Sequence, residues 1–228
     1  TVCKLEPVEG GIGIREAEPR PPEAGEVLIK VAAAGICGTD MQIYLWAPRM
    51  RSRMTLPRVM GHEVSGVVEE VGAGVGRPAV GDHVSLASRI SCGKCRPCRI
   101  GKAHLCNNIR YPGIDIDGGF AEYLTVPHQI AWVNPPTMAH ETAAMMEPFG
   151  ISVHASQIGS GVTGQSVLIN GCGPIGLMNV ATAKALGATL VIACDLNPVR
   201  LATAGTMGAD RVVHAADEDL AAIVEDMT

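Results

Sequence analysis

The sequence predicts a mixed fold, a β-rich, partly open barrel followed by a parallel α/β sheet. Three observations predict it. The 228 residues include 27 glycines and 15 prolines on a background that is 47% hydrophobic and only 3% aromatic, which describes many strands joined by tight turns. Up to about residue 125, short Val/Ile/Leu runs alternate with Gly and Pro. From about residue 165 the order becomes strand, helix, strand, helix, strand, the pattern of a parallel sheet.

In the first half, residues 26–31, 64–71 and 80–86 are β-branched runs bounded by turn residues and are expected to be strands. Residues 139–158 are helix-compatible, except that Pro148 must interrupt or kink the helix. Beyond them, residues 166–170 form a short buried strand and 175–186 a helix. Residues 189–194 form a second strand, 197–207 a second helix and 211–214 a third strand. A division at 1–149 and 150–228 follows.

The formal net charge of −5 offers no basic excess to neutralise a phosphate backbone, so nucleic acid is not an expected partner. The longest uncharged stretch, 148–183, is rich in Gly and broken by Asn, Gln, Ser, His and Pro. It reads as turns, strand and helix, not as a membrane span. No signal-peptide pattern opens the chain, and a cytoplasmic, non-membrane protein is expected.

Four of the eight cysteines fall within fifteen residues, as Cys92, Cys95, Cys98 and Cys106 in a C-x2-C-x2-C-x7-C pattern. In a reducing compartment such a cluster suggests metal before disulfides. Four thiolates from one loop complete a tetrahedral Zn2+ shell and leave no open position, so this zinc is expected to be structural. An iron–sulfur cluster is the rival reading of the same spacing.

The segment 166–176 runs from a strand into Gly171-Cys-Gly173-Pro174-Ile175-Gly176 and then a helix. This G-x-G-x-x-G has the context the dinucleotide fingerprint needs, with Asp195 nineteen residues beyond Gly176 at the end of the next strand. Gly171 allows the turn, Gly173 lets the backbone approach a pyrophosphate, and Gly176 lets helix pack on strand. The helix N-terminus offers free N–H groups to the phosphates. Asp195 would accept hydrogen bonds from ribose hydroxyls and repel a 2′-phosphate, which predicts NAD over NADP. Arg200 is the nearby cation that could act the other way.

A second cluster is Gly61-His62-Glu63, with Cys37-Gly-Thr39-Asp40 twenty-five residues upstream. With both loops, Ile43-Tyr44, Trp46, the 118–123 run Gly-Gly-Phe-Ala-Glu-Tyr and Glu147-Pro-Phe-Gly150, the chain resembles the zinc-dependent medium-chain alcohol dehydrogenases. It is most similar to their threonine and polyol (sorbitol) dehydrogenase branch. The resemblance implies a GroES-like catalytic domain with the structural-zinc loop at 92–106, and a Rossmann domain.

It also implies two zinc ions per chain, the catalytic one held by Cys37, His62 and Glu147. Glu63 lies beside them as an alternative ligand or a supporting carboxylate. One thiolate, one imidazole and one carboxylate leave a fourth position open for water or substrate. The implied reaction is hydride transfer from a secondary alcohol to NAD, in a homodimer or homotetramer. The proton would leave through the Thr39 hydroxyl, and the relay histidine of the family corresponds to Gln42. Arg89 stands where the branch tends to place His, and Ile151 where it tends to place Asn, so L-threonine is one candidate among hydroxy-amino acids and polyols. The family's cofactor domain has about six strands, and three can be counted before Thr228, so a C-terminally truncated cofactor domain is expected. The rival readings are a zinc-free quinone-reductase type of enzyme and a catalytically silent zinc- and nucleotide-binding scaffold.

Overall fold

The computed structural model describes residues 1–228 and divides into two units, Thr1–Glu147 and Pro148–Thr228. The first unit opens with β1 (Val2–Lys4), β2 (Ile12–Ile14) and β3 (Glu26–Gly35), then α1 (Gly38–Tyr44) and α2 (Pro48–Arg51). It continues with β4 (Arg58–Val59), β5 (Glu63–Val71), β6 (His83–Leu86), the short α3 (Arg96–Arg99), β7 (Tyr123–Pro127), β8 (Ala131–Val133) and α4 (His140–Ala144). An antiparallel five-stranded sheet has the order β7-β3-β5-β6-β8, and a smaller sheet has the order β2-β1-β4. The two end strands of the larger sheet do not pair with each other, so the barrel is open.

Alternation along these strands builds the core. Val27, Ile29, Val64, Val68, Val84, Leu86, Leu124 and Val126 are buried on one face, as period-two patterning requires. Irregularities in the β3–β5 ladder at Leu28/Ile29 and Val31/Ala33 bend the long β3, the usual way a sheet curls toward closure. A second cluster, Ile43, Trp46, Met50, Met54, Met60 and Ile114, packs α1 and α2.

Lys4 is fully buried. Its ammonium donates to the carbonyls of Val8, Gly10 and Tyr44 at 2.5, 2.6 and 3.2 Å, and it lies 5.3 Å from the centre of the Trp46 ring. All three protons are used, so the charge is compensated by two carbonyls of the β1–β2 loop and by that of Tyr44, the last residue of α1. Lys4→Met keeps the apolar stem but strands those carbonyls. It is expected to lower stability by about 3 kcal/mol, read as the midpoint shift in urea unfolding.

The second unit contains α5 (Met146–Gln157) from Pro148 onward, then β9 (Ser166–Asn170), α6 (Pro174–Ala185), β10 (Leu190–Asp195), α7 (Pro198–Thr206), β11 (Arg211–His214) and α8 (Leu220–Met227). Its sheet is parallel, in the order β11-β10-β9. Val180, Ala183, Val191, Ala193, Leu201 and Ala204 form one core cluster of the unit, and Ile192, Cys194 and Val213 a second, against which Leu220, Ile223 and Val224 of α8 pack. Burial on both sides explains the unbroken aliphatic run of β10.

The helical stretch around Pro148 breaks at Met145, the C-cap of α4, and Pro148 sits in the first turn of α5. A proline there is free of the hydrogen-bond penalty it carries in a helix interior. No helix is long and apolar enough to cross a membrane.

Candidate metal centres and dinucleotide site

Cys37, His62 and Glu63 come together in the first unit, with one ligand atom of each within 4.8 Å of the others. Sheet register makes the meeting. Gly35 at the end of β3 pairs with Glu63 at the start of β5, and any side chain at Gly35 would collide with the Glu63 carboxylate. Cys37 is the N-cap of α1. Gly61 adopts φ +90°, a left-handed turn before His62, and its Cα faces the Phe120 ring so closely that a Cβ would overlap it.

The surroundings favour a cation. The Asp40 carboxylate accepts the Cys37 N–H at 2.8 Å and lies 3.9 Å from Nδ1 of His62. Asp40 Oδ1 and His62 Nδ1 are both buried and lack a hydrogen-bond partner. An ion on the opposite nitrogen of His62 turns Nδ1 toward that carboxylate as a donor, the arrangement that orients metal-bound histidines. Burial pushes the Asp40 and Glu63 carboxyls above their ordinary range. Burial acts to lower the His62 pKa, but Cys37, Asp40 and Glu147 outweigh it and leave the imidazole above its usual value. Several groups that prefer to ionise are thus crowded into one buried spot, and a divalent ion resolves the conflict.

Glu147 lies close enough to act electrostatically on both His62 and Glu63, yet it is outside the set whose ligand atoms lie within 4.8 Å. Its carboxylate is taken by the Ser88 hydroxyl, which donates a short hydrogen bond to Oε1. Thr39 is half-buried in the first turn of α1, and Gln42, one turn on, is exposed. Arg89 follows Ser88 directly and is half-buried.

Cys92, Cys95, Cys98 and Cys106 also converge, with all four sulfurs within 4.8 Å. The Cys95 sulfur is 3.4 Å from that of Cys98 and 3.8 Å from that of Cys106. A ZnS4 tetrahedron with ~2.3 Å bonds has edges of about 3.8 Å, so the donor set fits. Backbone N–H groups of Cys92 and Asn108 donate to the Cys106 sulfur at 3.2 and 3.3 Å. The N–H groups of Lys94 and Cys95 lower the Cys92 thiol to about 6, whereas burial and the neighbouring thiols push Cys98 up to about 12. All eight cysteines are free.

In the second unit, Gly171 takes φ +101° and donates its N–H to the Cys194 carbonyl at 2.7 Å. Gly173 caps α6, Pro174 and Ile175 open its first turn, and a Cβ on Gly176 would strike the Gly171 carbonyl. Space above Gly171 and Gly173 is open, as a cradle for a pyrophosphate requires. Asp195 accepts N–H groups from Asn197 (2.8 Å) and Cys172 (2.6 Å), which hold its carboxyl below the ordinary range. A carboxylate has about four acceptor positions, so Asp195 keeps capacity for a hydroxyl donor. Arg200 stands 3.9 Å from it.

Sequence reasoning gave no role to Asp40 or Ser88. Asp40 carried a usable signal, since a carboxylate three residues past an N-cap commonly reaches back to the cap N–H. A cavity of about 1000 Å³ in the first unit, beside Arg15, Arg20 and Tyr123, is lined by none of the metal-site residues.

A family model described as alcohol dehydrogenase GroES-like domain matches residues 23–136, and one described as zinc-binding dehydrogenase matches residues 174–228. The chain is 45% identical over 227 residues to L-threonine 3-dehydrogenase of Pyrococcus abyssi, a match that covers all of this chain and 65% of that protein. The chain therefore spans about 65% of the length of that curated relative. A solved structure from Escherichia coli CFT073, described as a short chain alcohol dehydrogenase complexed with cofactor NADH, superposes with a TM-score of 0.91 at 36% identity, covering 99% of this chain and 65% of that one. Galactitol-1-phosphate dehydrogenase from Escherichia coli gives a TM-score of 0.91 at 30% identity, with 99% and 64% covered.

Proposed function

This chain belongs to the zinc-binding alcohol dehydrogenases with a GroES-like domain, and from that premise we propose that it transfers a hydride from a secondary alcohol to NAD. The observation that carries the reading is the buried convergence of Cys37, His62 and Glu63 with Asp40 behind the imidazole. Cys37 and His62 hold the catalytic zinc, with Glu147 or Glu63 as the carboxylate ligand. Cys92, Cys95, Cys98 and Cys106 hold a structural zinc. When bound, the catalytic zinc supplies the Lewis acidity that lowers an alcohol's pKa, and NAD supplies the carbon that accepts the hydride.

The chain's own residues do the rest. Cys37 and His62 are held by β3, α1 and the Gly61 turn, so the open ligand position is presented on a rigid frame. Thr39, two residues past Cys37, relays the alcohol proton: its hydroxyl accepts that proton as it gives up its own. Gln42 has no titratable proton, so the proton passes from there to solvent water. Glycines 171 and 173 and the N-terminus of α6 hold the pyrophosphate, and Asp195 accepts from the ribose hydroxyls while repelling a 2′-phosphate.

The substrate class is a hydroxy-amino acid such as L-threonine, or a polyol. Similarity to L-threonine 3-dehydrogenases supports the first, while Gln42, Arg89 and Ile151 distinguish this chain from that branch. The crowding of four cysteines into one metal-type loop, rather than paired as disulfides, supports a cytoplasmic location, and the family resemblance supports a homodimer or homotetramer.

The test is NADH formation by the zinc-loaded protein with L-threonine, sorbitol, butanediol and simple alcohols. Turnover of one or more supports the reading. NADH binding with no turnover on any of them indicates a silent scaffold, and protein without zinc indicates the quinone-reductase type.

Asp195→Ala is expected to cut the preference for NAD over NADP by roughly tenfold to a hundredfold, the worth of one or two charge-assisted hydrogen bonds. The kcat/KM ratio for the two cofactors measures it. An unchanged ratio removes Asp195 from cofactor selection.

A further inference from the structure

Ser65 lies on β5 with its side chain fully buried. Its Oγ is 2.9 Å from Nε2 of His83 on β6 and 3.0 Å from Nδ1 of His140, the first residue of α4. The two imidazoles meet edge to face with ring centres 4.3 Å apart. The Pro135 carbonyl favours a proton on the His83 ring, and with Nε2 facing Ser65 that proton is assigned to Nδ1. The directions of the remaining bonds follow. Neutral His83 presents a bare Nε2, so Ser65 donates its O–H to His83 and accepts the Nδ1–H of His140.

One added proton breaks this chain. On Nε2 of His83 it turns the acceptor into a donor, and the Ser65 O–H loses its partner in a place water does not reach. It also sets a cation against the neighbouring ring. Burial and His140 accordingly hold His83 below the ordinary histidine range.

The elements packed on α4 are β3, β5 and β6. Their charged side chains are Glu26 and Lys30 on β3 and Glu63, Glu69 and Glu70 on β5, with Glu141 on α4 itself. Glu26 is paired with Arg20, and Lys30 lies 3.9 Å from Glu69. The one titratable group acting on His83 is His140, so no carboxylate compensates an imidazolium there. Glu147 follows the end of α4 by three residues.

We propose that Ser65, His83 and His140 form a proton-sensitive latch that docks α4 on the sheet and thereby positions Glu147 beside Cys37, His62 and Glu63. The link to Glu147 as a metal-site residue rests on the function proposed above, while the docking of α4 stands apart from it. Acidification below the ordinary histidine range opens the latch and frees α4 together with the 145–147 segment. These are positioning residues, which act through α4.

Amide hydrogen exchange of the full chain, corrected for intrinsic rates, tests the latch at about pH 7.5 and about pH 5.5. In the wild type, residues 140–147 are expected to exchange about tenfold faster at the lower pH, reversibly, while β3 stays protected. Ser65→Ala is expected to show that faster exchange already at the higher pH. The double variant His83→Gln, His140→Asn keeps amide groups near the two hydrogen-bonding nitrogens but does not titrate, and it is expected to stay protected at both pH values. Unchanged protection of 140–147 in Ser65→Ala overturns the proposal, as does an acid response in the double variant equal to that of the wild type. Zinc content of the same wild-type sample separates the two readings. A missing second zinc contradicts the proposed metal site, and the exchange pattern still decides the latch.

Discussion

Cys37→Ser or His62→Ala is expected to lower kcat/KM for alcohol oxidation by about a thousandfold or more and to remove one zinc per chain, with NADH binding retained. Either change deletes one of the donors that converge in the first unit, and the remaining donors cannot hold the ion in an open, three-ligand geometry. Without it no group near Thr39 lowers the alcohol pKa enough to generate the hydride-expelling form at neutral pH. NADH binding persists because Gly171, Gly173 and Asp195 belong to the other unit. Asp40→Asn is the milder companion. It keeps the shape but removes the charge opposite Nδ1 of His62, and metal affinity is expected to fall by roughly 10- to 100-fold. Metal analysis after dialysis against a weak chelator, with steady-state rates on the same samples, checks all three. Full activity in a zinc-depleted Cys37→Ser protein would remove the metal from the mechanism.

Cys106→Ala is expected to cost the other zinc and to unfold the lobe around it. Between Cys92 and Asn108 the only buried residue is Cys106 itself, and the regular structure amounts to the four residues of α3 and one three-residue turn. A segment with no apolar core depends on its metal for order. The Cys92 and Asn108 N–H groups that point at the Cys106 sulfur lose their acceptor as well. Limited proteolysis inside 92–106 is expected to speed up by about tenfold or more relative to the wild type. Unchanged cleavage, with two zinc ions still bound, would mean that the four cysteines do not share an ion.

The two metal loops and the glycine turn were legible in the sequence because each is written within a few consecutive residues. Cys92, Cys95, Cys98 and Cys106 need only a loop that folds back on itself, and Gly171, Gly173 and Gly176 need only a strand running into a helix. The parallel sheet was legible for the same reason, since its strands carry unbroken apolar runs separated by helical patterns. What long-range register decides was not legible. Gly35 faces Glu63, and Ser65 faces both His83 and His140, only because β3, β5 and β6 pair as they do. Ser88 reaches Glu147 across 59 positions of sequence. Lys4 is buried through carbonyls supplied by residues 8, 10 and 44, and no local pattern marks a lysine for the interior. The break before α5 was expected at Pro148 and falls at Met145, because a proline's missing N–H and ring clash act on the preceding turn.

Two different zinc sites are expected in this one chain, one open for chemistry at Cys37 and His62 and one closed for structure at the four-cysteine loop. The metal content of the purified wild-type chain tests this most directly, by mass spectrometry of the digested protein. Two zinc ions per chain and no iron are expected. One zinc or none, or iron in place of the zinc of the four-cysteine loop, would contradict this expectation.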